Sequence, residues 1–100
     1  MIQFADTDCT IEENHYANGR LRWDLCDAQT GEPVATATVN VPDYPSKKLD
    51  DRTHVLIKDW SENAGIVEAL HEAGYISLPQ GRVPAGFAYA AVCRVTREVT

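Results

Sequence analysis

A chain of 100 residues, 44% hydrophobic and 24% charged, has room for one small domain and not for two, with little interior left for a deep catalytic cleft. Fifteen acids against nine bases give a formal charge of −6 at pH 7, so there is no basic stripe to neutralise a phosphate backbone, and direct nucleic-acid binding is not expected. No window approaches the roughly 18 apolar residues of a membrane span, and the start MIQFADTD lacks the basic and apolar regions of a signal peptide, so the expectation is a cytosolic protein without a membrane partner.

Ile2 to Ala5 reads as an optional edge strand. The first firm signal is Asn18-Gly19 between strand-like runs, the pair that supplies both positive-φ residues of a type I′ hairpin. A two-residue loop there predicts Tyr16 opposite Leu21 and His15 opposite Arg22. Leu21, Trp23 and Leu25 then form a buried face, alternating with a wet face of Arg20, Arg22 and Asp24. The stretch 28–33 is turn chemistry, and Val34 to Val41 reads as the next strand, with Ala35, Ala37, Val39 and Val41 on its inner side. Pro42 to Arg52 is a long polar loop, followed by a short apolar strand from His54 to Lys58.

Ser61 is the expected N-cap of one helix, which buries Ile66, Ala69, Leu70 and Ala73, turns Glu62, Glu68, His71 and Glu72 outward, and ends at a left-handed Gly74 in a Schellman motif. Gly81 to Gly86 reads as a bend. Phe87 to Val95, apolar on both faces, belongs in the middle of a sheet. The whole is expected to be a single α+β domain over residues 1–100, a mainly antiparallel sheet of about five strands in the order β-β-β-β-α-β with the helix packed on it.

The chemistry-bearing residues give no catalytic or metal motif. Cys9, Cys26 and Cys93 are odd in number and widely spaced, which suits reduced thiols better than disulfides. No Cys-x-x-Cys or His-x-x-x-His pair occurs, so neither a metal nor another cofactor is expected. A thiol in the apolar last strand is expected to have a raised pKa, against a nucleophilic role for Cys93. Glu12 and Glu13 are adjacent in a strand and point to opposite faces, so they do not converge for acid/base work. Gly81-Arg82-Val83-Pro84-Ala85-Gly86 lacks the lysine and following helix of a phosphate loop.

Acidity is concentrated in residues 1–50, which hold nine acids against four bases. An acidic surface steers encounters with a basic protein. The candidate contact residues are Glu12, Glu13, Asp24 and Asp27, with Tyr44 as an aromatic anchor on the Pro-stiffened loop. Glu68, His71 and Glu72 on the helix form a second candidate surface.

The segments NGRLRWDLCDAQTGEPVATATVNVP, VLIKDWSENAGIVEALHEAGYI and GRVPAGFAYAAVCRV together resemble domain of unknown function 4313, a family of short proteins from phages, plasmids and conjugative elements. The likeness covers residues 18–95. Related sequences carry Glu at position 64, completing a Ser-x-x-Glu capping box that Ala64 lacks here. The resemblance implies a binding protein from a mobile element, acting on a host protein or ribonucleoprotein complex as an anti-CRISPR or anti-restriction inhibitor. The alternatives are a small ligand-binding domain that uses the Trp60 loop and the 81–86 bend, and an assembly factor marked by homo-oligomer formation through an edge strand.

Overall fold

Alternating apolar residues fold most of the chain into antiparallel strands, which a computed structural model describes for residues 1–42 and 53–99. Strands β1 (Ile2–Phe4), β2 (Thr7–His15), β3 (Leu21–Asp27) and β4 (Pro33–Thr36) form one sheet in that order. Strands β5 (His54–Ile57), β6 (Gly81–Ala85) and β7 (Ala88–Arg94) form a second, in the order β5-β7-β6. The helix, α1, spans Ile66–Glu72. The α+β class holds, with seven strands in two sheets among the described residues where about five were expected.

The β2–β3 hairpin closes differently from the expected two-residue turn. Gly19 N–H donates to the Tyr16 carbonyl at 2.8 Å, and Tyr16 N–H donates to the Arg20 carbonyl at 2.8 Å. Gly19 has φ 88° while Asn18 does not enter the positive region, so this is a type I turn followed by a glycine bulge. Asn18 instead uses its side chain, accepting from Arg20 N–H at 3.3 Å and donating to Asn40 Oδ1 at 3.1 Å. The longer loop slides the pairing by one residue. His15 stands opposite Leu21 and Glu13 opposite Trp23. Arg20, expected on the wet face, is buried and donates to the Val41 carbonyl. A pair of positive-φ residues does occur, at Ala5 and Asp6 (φ 53° and 59°) between the paired Phe4 and Thr7.

The run expected as a strand over Val34 to Val41 serves both sheets. It pairs with β3 as far as Thr36. Then Ala37 N–H donates to the Trp23 carbonyl at 2.8 Å, while the Ala37 carbonyl accepts from Lys58 N–H at 2.8 Å and Val39 N–H reaches the Leu56 carbonyl at 3.1 Å. Ala37 is thus the corner between the sheets. Inside lies the main core, where Ile2, Cys9, Trp23 and Leu25 meet Val55, Ile57, Ala91 and Cys93 of the other sheet, with Ile66, Val67 and Leu70 of α1 against them. The second sheet has a smaller cluster on its far face, made by Leu56, Val83 and Ala90 with Val39, Val41 and Trp60.

The helix begins later than expected. Ser61 makes no capping hydrogen bond, lies at φ 55°, and starts a short 3-10 turn, Ser61–Asn63; Gly65, at φ 90°, is the N-cap of α1. The cause is Asn63, a buried residue whose amide donates to the Thr36 carbonyl at 2.7 Å and the Lys58 carbonyl at 3.1 Å, pinning the chain in a non-helical path. The ending is as expected: Gly74 has φ 85°, its N–H donates to His71 O, and Tyr75 N–H donates to Leu70 O at 3.0 Å, the Schellman pattern.

Gly81 to Gly86, expected as a bend, is instead mostly strand β6. Pro84 is tolerated because β6 is an edge strand. With Ala85 paired to Ala88, Gly86 and Phe87 make a two-residue turn led by glycine at φ 68°, the II′ arrangement. The central place of β7 is as expected, but Phe87 lies outside the strand and outside the core.

Candidate functional site

Strand alternation decides which acids meet. Even-numbered residues of β2 and β3 face away from the main core, so Glu12 stands directly opposite Asp24, with Asn14 and Arg22 as the next pair. Like charges directly opposite oppose folding. Asp24 is fixed by its neighbours: Thr36 Oγ1 donates to it at 2.8 Å and Arg22 Nε lies 3.2 Å away. The Cys26 thiol is 3.9 Å from Glu12 Oε2, and burial, followed by the charges of Glu12 and Asp24, pushes its pKa up. That makes it a poor nucleophile.

The other expected contact residues are dispersed. Glu13 points to the opposite face, where its carboxylate accepts the Trp23 indole N–H at 2.9 Å. Asp27 accepts the Gln29 and Thr30 amides at 2.8 and 3.2 Å and so shapes its own turn. Tyr44 lies outside the described residues. Glu68, His71 and Glu72 are exposed on α1, and His71 Nδ1 is 2.8 Å from the Ile76 carbonyl, which makes that nitrogen the donor. Of the four described residues among those first expected to act together, the structure brings two onto one surface, Glu12 and Asp24.

A different feature was missed. The β6–β7 turn holds Phe87 entirely in solvent, at 112% fractional exposure, with Tyr89 at 60% beside it in β7 and exposed Pro84 paired across from Tyr89. The turn is braced at its base. Arg82 grips Asp59 with two nitrogens, at 3.0 and 2.8 Å, and also donates to the Tyr89 carbonyl at 3.3 Å. The Asp59 hydrogen bond holds the Arg82 pKa above its ordinary value. The Gly-Phe dipeptide between two alternating runs was the signal that could have located this turn.

The thiols are buried, and Trp60 is packed. Cys9, Cys26 and Cys93 are free and buried, and burial first, with Asp59 second, pushes the Cys93 thiol up to about 11. Trp60 packs on the cluster that contains Leu56, Val83 and Ala85, with the Lys58 ammonium 5.9 Å from its ring centre, so the side chains between the Trp60 loop and β6 pack together. Among the described residues, no three His, Cys, Asp or Glu side chains are grouped to hold a metal ion.

The arrangement therefore offers two surfaces of different chemistry, a braced aromatic turn and a fixed acidic patch on a sheet face. No family model matches the chain, and neither a curated protein nor a solved structure matches it.

Proposed function

We propose that the chain is a non-catalytic protein-binding module whose main anchor is Phe87, with the Glu12–Asp24 face attracting a basic partner. The observation that carries this reading is the complete exposure of Phe87 on a two-residue turn. Burying a phenyl ring is worth roughly 1.5–3 kcal/mol, and here folding obtains none of it. A short, glycine-led turn braced by Arg82 and Asp59 also keeps the ordering cost of docking low. Aromatic anchors of this kind dominate many protein interfaces.

The resemblance to mobile-element proteins suggests the partner: a protein component of a bacterial defence complex, inhibited by occupation of a working surface. The test is affinity capture from nuclease-treated bacterial lysate with the parent chain and Phe87→Ser. A specific protein retained by the parent and lost by the variant, with unchanged circular dichroism and melting temperature, supports the reading. Equal capture by both, or retention that depends on nucleic acid, overturns it.

A further inference from the structure

The inward face of the β2–β3 hairpin ends in the pair His15 and Leu21, of which His15 is exposed and Leu21 half-buried. The segment after β7 comes alongside, tied by the Ile76–Val95 bridge, by Thr96 N–H to the Tyr75 carbonyl at 2.9 Å and by Thr96 Oγ1 to the Gly74 carbonyl at 2.7 Å. Between them lies an open groove of about 620 Å³ lined by Glu13, His15, Leu21, Val95, Glu98 and Val99. Leu21, Val95 and Val99 pack against the main core, which gives the groove an apolar part. Its polar part carries two carboxylates.

Those carboxylates are not neutralised from within the described chain. Glu13 spends one oxygen on the Trp23 indole and has no second partner among the described residues, where Glu98 and His15 also have none. Two nearby arginines are engaged elsewhere. Arg22 is paired with Asp24 on the other sheet face and lies 5.9 Å from the Tyr16 ring centre, while Arg97 sits 4.8 Å from the Tyr75 ring centre and donates to the Ala73 carbonyl. Among the described residues, Glu13, His15 and Glu98 do not group closely enough to hold a metal ion. Charge spread along a half-apolar trough matches an elongated organic cation better than a point charge.

We infer that this groove is a second binding site, which takes an arginine side chain from an extended segment of a partner protein. The methylene stem lies on Leu21, Val95 and Val99, and the guanidinium, with five donors, is shared between Glu13 and Glu98. The site is independent of the Phe87 turn. Trp23 reports on it directly, because its indole N–H is bonded to one of the two carboxylates.

The test follows the Trp23 indole N–H resonance by NMR while the full chain is titrated with the blocked pentapeptide acetyl-Ala-Ala-Arg-Ala-Ala-amide. The control peptide carries citrulline, a neutral near-isostere, in place of arginine. The expected result is a saturable shift with the arginine peptide, an affinity weakened about fivefold or more by Glu98→Gln, and a further loss at high salt. Glu13→Gln, which keeps an acceptor for the indole, is expected to weaken binding similarly while the folded spectrum persists. An equal shift with the citrulline peptide, no saturation, or unchanged affinity in both variants overturns the inference.

Discussion

Trp23 and Glu13 are cross-strand partners joined side chain to side chain, the indole N–H donating to the carboxylate at 2.9 Å. Trp23 is wholly buried, and a buried indole N–H without an acceptor is costly. The partnership depends on the three-residue loop at Ala17 to Gly19, because a two-residue loop would have set Glu13 against Asp24. Glu13→Leu is expected to cost about 1–3 kcal/mol in urea denaturation. Glu13→Gln should recover most of that loss, since its carbonyl still accepts. Equal stability of Glu13→Leu and the parent would show that the bond contributes nothing.

Backbone conformation gives a pair of opposite predictions. Ala5 stands at φ 53°, where a side chain is strained, so Ala5→Gly should stabilise the chain by about 0.5–1 kcal/mol after allowing for the greater freedom of glycine when unfolded. Gly74, at φ 85° in the helix ending, should behave in reverse, and Gly74→Ala should cost about 1 kcal/mol or more. Denaturation midpoints check both.

The raised Cys93 pKa makes stability depend on alkaline pH. An unfolded thiol releases its proton near 9.0, whereas folded Cys93 holds its proton to about 11. Between those values the unfolded state binds fewer protons, so stability falls as pH rises, and below them this group contributes no slope. Cys9 and Cys26 are also raised and act in the same direction. Replacing all three by Ala should flatten the stability profile between pH 9 and 11 and leave partner capture intact. At pH 8, iodoacetamide should label Cys93 in the native chain much more slowly than in urea.

What the sequence made legible was periodicity and punctuation with a single meaning. The Leu21-Trp23-Leu25 face, the central place of β7 and the Gly74 ending depend on local patterns that no other part of the chain opposes. The failures came where a distant group changed the local preference. Asn18-Gly19 reads as a type I′ turn, but the Asn18 side chain bonds Asn40, a residue whose nearness no local window reveals. Ser61 reads as a cap, but Asn63 is held by Thr36 and Lys58 and delays the helix. Of the candidate sites, the Glu12–Asp24 face was only half legible, because a one-residue change of register decides which acids it holds. Phe87 was hidden by its apolar neighbours, which made a turn look like strand interior.

The Glu12–Asp24 pair should show a conflict between stability and binding. Glu12→Lys replaces a cross-strand repulsion with an attraction and is expected to stabilise the fold by about 0.2–1 kcal/mol at low salt. The same change should slow association with a captured basic partner, an effect that shrinks as salt is raised. Surface plasmon resonance at two ionic strengths separates the two. An unaltered association rate would remove this face from the binding reading.

Because Ala37 gives its N–H to β3 and its carbonyl to the chain after β5, neither sheet can come apart alone without breaking bonds at a shared residue. Cooperativity is therefore built into one short run of backbone. The Ala37 and Val39 amides should exchange with deuterium only through global opening, with protection equal to the full unfolding free energy, whereas the β6 edge exchanges through smaller local openings. Ala37→Pro removes the N–H that joins this corner to β3 and, because the two sheets also share the main core, the expected result is a lower melting temperature with both sheets still melting in one step.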